Sequence, residues 1–165
     1  VRIFFGAQTK TQDIEGRYVD YKYPSHDMKE RVSKLKFFIG NYQQKIPIFS
    51  AHKIKGKNFY ELARKEEFLE ERFKQVNVHS LKITHQNTNS LDITIDCETG
   101  FYVRSFAEEF AKSLGDLGFA MSIIRTKIGD FNLSHSIDFQ NILDFSDIND
   151  LDSQIIPIYS GRHPG

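Results

Sequence analysis

The stretch from Ser90 to Leu117 carries two hydrophobic periodicities in succession, and this order constrains the fold more than any other part of the sequence. Apolar and polar residues alternate from Leu91 to Cys97, which predicts a half-buried strand with one wet face. After Gly100 the spacing becomes helical, with one apolar face made of Phe106, Phe110, Leu114 and Leu117. The predicted helix begins at Ser105, where Ser105 and Glu108 have the spacing of a capping box. The strand-to-helix junction is therefore held at a surface, where rigid elements commonly present side chains to a ligand.

The rest of the chain alternates between strand and helix patterns. An apolar stripe from Met28 to Ile39 predicts an amphipathic helix, which Ser25 or Asp27 can cap. Turn residues between Gln86 and Asn89 predict an antiparallel hairpin there. Strands are also predicted at Val1–Phe5, Tyr18–Tyr23, Gln75–Thr84 and Ala120–Ile128, helices at Phe59–Phe73 and near 139–145, and loops at Gly6–Gly16 and Gln43–Gly56. This order of elements indicates an α+β fold with a mixed, mainly antiparallel sheet and flanking helices.

Charge and cysteine content narrow the class of protein. The chain has 165 residues and no formal net charge, but nine Lys or Arg and one acid fall between Arg31 and Lys65. On a neutral chain, this basic segment either presents a positive face to phosphates or is a solvated lysine-rich surface. Cys97 is the single cysteine, which excludes an intrachain disulfide and fits a reducing compartment. Without a signal peptide or an apolar run long enough to span a bilayer, the sequence predicts a cytoplasmic protein with no membrane partner.

The strand-to-helix junction also holds the side chains best suited to bind a ligand. Tyr102 and Arg104 come two apart at the predicted strand end and are expected to point to the same face. A ring beside a guanidinium makes a stacking surface next to a donor for carboxylate or phosphate, although an arginine paired with an acid at a core edge explains the same spacing. The six histidines lack metal-ligand spacing, so no metal site is expected. The sequence also contains neither a nucleotide P-loop nor the G-x-S-x-G context of a hydrolase.

Three separated stretches resemble the TruB-type tRNA pseudouridine synthases, in the same order and at compatible spacing. Gly6 to Gly16 is similar to the family loop that has a glycine, "TDT" and an acidic residue before a second glycine. Gln44 to Arg64 resembles Q-x-P-P-x-[FY]-S-A-x-K-x-x-G followed by Y-E-x-A-R, and Cys97 to Ser105 resembles C-S-x-G-[TF]-Y-[IV]-R-S. Ile124 to Phe131 is similar to the L-R-R and G-x-F segment. Together these stretches cover most of Val1 to Phe131.

The resemblance implies an isomerase of the pseudouridine synthase fold that converts the T-arm uridine at tRNA position 55 to pseudouridine, with a flipped-out base and no metal or organic cofactor. In the family an aspartate attacks the nucleotide, the uracil detaches and turns, and a carbon–carbon bond forms to the sugar. The family's Y-x-R pair falls on Tyr102 and Arg104, so that the arginine pairs with the aspartate and the tyrosine lines the uracil pocket. Ile123 or Ile124 is the implied apolar wall against the base. The expected RNA contacts are Lys45, Lys53, Lys55, Lys57, Arg64 and Arg125.

The sequence departs from the family pattern where the chemistry is expected. The aspartate motif G-x-L-D-x-x-A-x-G does not occur and is expected upstream of Val1, and Asp13 does not match it. We therefore predict a partial catalytic domain over residues 1–150 and a tail or linker over 151–165, without a C-terminal PUA domain. Ile46 replaces the first proline of the family's pair. Arg104 is then expected to face no carboxylate, and the chain alone is expected to be inactive while its full-length parent is active.

Other interpretations remain open at the level of sequence. A missing segment is expected to leave an unpaired sheet edge, through which the chain can self-associate. An RNA-binding module or a pseudoenzyme would keep the basic segment without catalysis. An interaction domain would instead use the acidic end, where five Asp fall between Asp138 and Asp152.

Overall fold

The computed structural model describes residues 1–24, 27–47, 53–54, 57–58 and 71–135, with the backbone alone at 53–54 and 57–58. Predictions for Ser25, for most of the helix Phe59–Phe73, for the helix near 139–145 and for the tail 151–165 lie outside these residues. The chain divides into two units, residues 1–124 and 125–165, and each is described by itself.

Five antiparallel strands form the main sheet of the first unit. In spatial order they are β4 (Gly40–Lys45), β7 (Phe73–Gln86), β8 (Ser90–Cys97), β1 (Arg2–Phe5) and β9 (Gly118–Ser122). The predicted hairpin is confirmed as β7 and β8, with Leu81 opposite Ile95 and Ile83 opposite Ile93. β1 is paired on both sides, with β8 and with β9. An open edge is therefore not at β1, and the outer strands of the described sheet are β4 and β9.

Smaller elements surround this sheet. β2 (Ala7–Thr9) pairs with β3 (Tyr18–Tyr21), and β5 (Lys53–Ile54) pairs with β6 (Lys57–Asn58). The helices are α1 (Met28–Leu35), followed by a 3₁₀ turn at Lys36–Phe38, and α2 (Val103–Ser113). The described part of the second unit contains the short antiparallel pair β10 (Lys127–Ile128) and β11 (Phe131–Asn132), then a 3₁₀ turn at Leu133–His135.

Several predicted boundaries are wrong. β2 lies inside the predicted loop Gly6–Gly16, and β4 runs into the predicted loop Gln43–Gly56 because its residues pair with β7 despite their polar side chains. The predicted strand Ala120–Ile128 ends at Ser122. Phe73 begins β7 and does not end a helix. Pairing between distant strands, which local periodicity does not contain, accounts for these differences.

The core lies between α2 and the main sheet. Phe106 and Phe110 of α2 are fully buried against Ile3 and Leu91 of the central strands. The helix comes so close to the sheet that a Cβ on Gly118 would lie 2.7 Å from the Ala111 Cβ and 2.9 Å from a backbone oxygen of β1. The predicted apolar face is thus confirmed for Phe106, Phe110 and Leu114, whereas the helix ends at Ser113 and Leu117 lies beyond it. This face packs α2 against a rigid layer.

The buried side of α1 differs from the predicted stripe. Asp27 caps the helix by accepting from the Glu30 N–H at 2.9 Å, as predicted. Met28 and Val32 are 40% and 42% exposed, whereas Arg31 is 1% exposed. The Arg31 guanidinium lies 4.1 Å from the Phe5 ring centroid and donates to two backbone carbonyls of the β7–β8 turn, both at 2.7 Å. These contacts place Arg31 against the sheet where the stripe predicted Met28 and Val32, while Leu35, at the end of the helix, is buried in the core as the stripe predicts.

Candidate active site

A tight turn joins β8 to α2 and places Tyr102 and Arg104 at the start of the helix. Gly100 has a φ of +85°, a left-handed conformation that glycine adopts without steric penalty. Tyr102 is the N-cap residue, with φ −100° and ψ 98°, and Arg104 is the second residue of α2. The prediction that the two side chains share one face of a strand end is therefore wrong, because the helix begins between them.

Arg104 forms an ion pair with Asp13. Its Nη1 donates to Asp13 Oδ2 at 2.9 Å, and the other carboxylate oxygen, Oδ1, accepts from the Glu15 N–H at 3.2 Å and from the Thr11 hydroxyl. The two side chains remain 29% and 21% exposed, so solvent reaches the pair. The prediction that Arg104 faces no carboxylate is wrong, because the β2–β3 connection brings Asp13 to it. A charge-assisted hydrogen bond of this kind fixes the direction of the guanidinium.

Glu108 joins α2 to the segment that carries Asp13. Its carboxylate accepts from Gln8 Nε2 at 2.9 Å and from Gln12 Nε2, and it pairs with Lys112 one turn further along the helix. The predicted capping box is therefore wrong, since Ser105 is already inside α2 and Glu108 binds side chains of another segment. Gln8 in β2, Gln12 in the β2–β3 connection and Glu108 on α2 carry no local pattern for such contacts, so sequence reasoning missed these residues as parts of the site.

A second carboxylate of α2 holds the end of β4. Glu109 Oε1 accepts from the Lys45 backbone N–H at 2.8 Å. Burial raises the pKa of Glu109 to about 7, although the hydrogen bond from Lys45 acts in the opposite direction. Burial, and then the charge of Glu109, also raises the pKa of Tyr42 above its ordinary value. Glu109 therefore changes its protonation in the neutral pH range.

The predicted base wall and one predicted RNA contact follow β9. Ile123 and Ile124 are 47% and 69% exposed, so both are open to a ligand. Arg125 is exposed and is the first residue of the second unit.

The predicted basic contacts are distributed over several elements. Lys45 ends β4, where its Nζ pairs with Glu71. Lys53 and Lys57 lie in the β5–β6 pair, in which Lys53 is opposite Asn58. Outside the described residues lie Lys55 and Arg64.

A pocket of about 590 Å³ has a lining that includes neither Tyr102 nor Arg104. Its walls come from β1 and from the β2–β3 pair, where the rings of Tyr18 and Tyr21 stack at a centroid distance of 5.4 Å. The pocket is open and aromatic, so we place the candidate chemistry at the Arg104–Asp13 pair, which combines opposite charges with partial exposure.

Two kinds of feature are absent from the described residues. No group of three or more His, Cys, Asp or Glu side chains in that part of the chain could hold a metal ion. Among the helices described there, none is long and apolar enough to cross a membrane.

A family model and individual known proteins that match this chain are all pseudouridine synthases. The model of the "TruB family pseudouridylate synthase (N terminal domain)" matches residues 1–103. The chain is 33% identical over 163 residues to tRNA pseudouridine synthase B of Bacillus pumilus, which covers 94% of the chain and 53% of that protein. It is 35% identical over 146 residues to tRNA pseudouridine synthase B of Parabacteroides distasonis, covering 87% of the chain and 62% of that protein. The chain thus spans little more than half the length of these relatives.

The fold has a counterpart among solved structures. A chain in the crystal structure of a Cbf5-Nop10-Gar1 complex superposes with a TM-score of 0.59 at 16% sequence identity, covering 87% of this chain and 34% of that one. At this identity the likeness concerns the fold alone, and it agrees with the α+β architecture described above. Because the family model matches residues 1–103 of 165, more than half of the sequence, the chain belongs to the TruB family of pseudouridylate synthases.

Proposed function

We propose that this chain is part of a tRNA pseudouridine synthase, an isomerase that converts the T-arm uridine at tRNA position 55 to pseudouridine without a metal or organic cofactor. Family membership and the names of the relatives, tRNA pseudouridine synthase B, support the reaction. The observation that carries the proposal is the partly exposed Arg104–Asp13 pair, which lies where the Y-x-R motif meets the start of α2. The substrate is tRNA, and the cytoplasm is the proposed location.

The nucleophile is proposed to be an aspartate that this chain lacks. Its motif, G-x-L-D-x-x-A-x-G, does not occur in the sequence. Arg104, oriented by Asp13, would then hold that aspartate next to the ribose, and Tyr102 would line the uracil pocket. In the reaction the bond between the sugar and N1 breaks, a bond from the sugar to C5 forms, and C5 loses its hydrogen while N1 gains one. The exposed Ile123 and Ile124 are the proposed apolar wall, since a flipped-out base needs contacts that offset its lost stacking.

The basic residues are proposed to bind the T-arm backbone. Lys53 and Lys57 lie on the two strands of a short antiparallel pair, with Lys53 opposite Asn58 and Lys57 opposite Ile54, and lysine is a common partner of backbone phosphate. Lys45 is partly exposed beside Glu71, so binding would exchange one anionic partner for another. Lys55, Arg64 and Arg125 complete the proposed set.

Self-association through an edge of the sheet stays a prediction. In the described part of the sheet, β4 and β9 each have one strand neighbour, and an exposed edge can pair with another chain. A mass that grows with protein concentration in sedimentation analysis would support this prediction, and a constant monomer mass would contradict it.

Release of tritium from RNA labelled at uridine C5 tests the function, because C5 loses its hydrogen when pseudouridine forms. Two polypeptides are compared: this chain alone, and an extended polypeptide in which the family's aspartate segment precedes Val1. We expect release from a T-arm hairpin by the extended polypeptide only. Release by the chain alone would place the nucleophile among its own carboxylates, with Asp13 the nearest candidate, and binding of the hairpin without release by either polypeptide would favour an RNA-binding module or pseudoenzyme.

A further inference from the structure

We propose that Gln44 is a positioning residue that holds the backbone of Tyr102 and thereby sets the place of Arg104 in the active site. Its consequence for turnover rests on the proposed function, whereas its hold on Tyr102 does not. Gln44 lies near the end of β4, and its side chain is fully buried. A buried amide with no hydrogen-bond partners is strongly disfavoured, so the partners of this side chain explain its position.

The Gln44 amide binds both backbone groups of one residue. Its Oε1 accepts from the Tyr102 N–H at 2.8 Å, and its Nε2 donates to the Tyr102 carbonyl at 3.0 Å. The same Nε2 lies 3.1 Å from the Tyr42 hydroxyl, two residues back on β4. One side chain therefore acts towards Tyr102 as a neighbouring strand would, with a matched donor and acceptor.

Tyr102 is the residue at which orientation matters most for this site. It is the N-cap of α2, and its carbonyl also accepts the first helical hydrogen bond, from the Phe106 N–H at 3.0 Å. No side-chain cap bond fixes this N-cap, so the backbone clamp from Gln44 takes that role. A rotation at Tyr102 would move its own ring and would also shift Arg104, which lies two residues further on.

A neighbouring contact keeps the effect of Gln44 local. The Lys45 N–H donates to Glu109 Oε1 at 2.8 Å, and six register pairs join β4 to β7. These contacts remain when the Gln44 amide is removed, so β4 is expected to stay in place while the start of α2 loosens. Lys45, one of the proposed RNA contacts, ends β4, so the strand that holds Tyr102 also carries a proposed RNA contact.

Two substitutions and a matched control test the clamp. Gln44→Met keeps the size of the side chain and removes both hydrogen bonds, whereas Gln44→Glu keeps the acceptor for the Tyr102 N–H. Gln43→Met is the control, because Gln43 is exposed on the same strand and its amide donates to Gln75 Oε1 at 2.6 Å. The first measurement is amide hydrogen exchange in the chain itself. We expect exchange at the Tyr102 N–H to become about tenfold faster in Gln44→Met, with the control unchanged.

The second measurement is single-turnover tritium release by the extended polypeptide at saturating RNA. In Gln44→Met we expect the rate to fall about tenfold while the Kd for the hairpin changes by less than about twofold, because an interaction that only positions the reacting groups acts on the rate. In Gln44→Glu the rate should recover as the pH falls, since a protonated carboxyl can again donate to the Tyr102 carbonyl. Because protonation of a buried carboxyl also restores stability, the Tm is followed over the same pH range, and a role in general stability alone would make the rate follow the folded fraction.

Each outcome decides the proposal. Unchanged exchange at Tyr102 in Gln44→Met would overturn the clamp, whatever the reaction is. Faster exchange with an unchanged rate would overturn the positioning role. If the unsubstituted extended polypeptide releases no tritium, the proposed function fails, and the exchange measurement still decides whether Gln44 holds Tyr102.

Discussion

Gln12 has a backbone φ of +65°, a left-handed value that residues other than glycine rarely adopt. Such a conformation is unfavourable by about 1–3 kcal/mol and persists where the surroundings hold it. Here the Gln12 side chain binds Glu108, and its carbonyl accepts from the Ala120 N–H at 2.9 Å. The next residue is Asp13, so the strained residue is held from two sides in the conformation that brings Asp13 to Arg104.

At most exposed positions an alanine variant is more stable than a glycine variant, and at Gln12 we expect the opposite order of stability. Both Gln12→Ala and Gln12→Gly remove the hydrogen bond to Glu108, but only alanine keeps a Cβ in the left-handed region. We expect Gln12→Gly to be more stable than Gln12→Ala by about 1 kcal/mol in urea denaturation. At Gln43, an exposed strand residue, glycine should be the less stable of the two by about 0.5–1 kcal/mol. The same order at both positions would refute strain at Gln12.

At the scale of elements, α1 shows where a local pattern fails. Its cap at Asp27 follows from the sequence because capping is local, and the β7–β8 hairpin and the apolar face of α2 follow for the same reason. The buried side of α1 does not, because Arg31 reaches backbone carbonyls 56 and 57 residues further along the chain. The apolar spacing within α1 therefore does not predict that contact.

A buried and an exposed arginine, each with two hydrogen bonds, allow the effect of burial on stability to be measured. Arg31 donates to two carbonyls of the β7–β8 turn while almost fully buried, and Arg2 makes two hydrogen bonds to Asp92, both at 2.7 Å, with a side chain that is 48% exposed. Arg31→Met should lower the free energy of unfolding by at least about 2 kcal/mol, because two hydrogen bonds from a charged donor and the contact with the Phe5 ring are lost. Arg2→Met should lower it by much less than Arg31→Met does, since solvent screens an exposed pair. Equal losses in urea denaturation would show that α1 is not anchored through Arg31.

The burial of Glu109, which joins α2 to β4, should make stability depend on pH. Burial raises the pKa of Glu109 to about 7 in the folded chain, above the unfolded value of about 4.3. The folded state therefore binds this proton more tightly, and the stability it contributes is complete at low pH and is lost as the pH rises towards 7. Glu109→Gln removes this titration and keeps an acceptor for Lys45. The Tm of Glu109→Gln minus that of the unsubstituted chain should rise from about pH 4.5 to about pH 7 and then level off, and a flat difference over this range would contradict the prediction.

At the scale of the whole molecule, the residues of the candidate site could be predicted better than their arrangement. The motif between β8 and α2 identified Tyr102 and Arg104, because a strand, a glycine turn and a helix follow one another in sequence. The partner of Arg104 could not be predicted, because Asp13 lies 91 positions away and reaches it through the β2–β3 connection. Gln44 likewise meets Tyr102 across 58 positions. Contacts of this length depend on the order of strands in the sheet, which spacing along the chain does not determine.

The uneven distribution of charge on a neutral chain leads to a prediction about RNA affinity. Replacing Lys53, Lys55 and Lys57 by alanine should weaken binding of a T-arm hairpin and flatten its salt dependence, because fewer counterions are released when fewer phosphates are neutralised. The slope of log K against log salt should fall by about 0.7–0.9 for each phosphate that the variant no longer neutralises. Replacing Lys29, Lys34 and Lys36, in and beside α1, removes the same total charge and is the matched control. If both triple variants change the slope equally, overall charge and not the β5–β6 segment governs binding, and if neither changes it, these lysines do not bind phosphate.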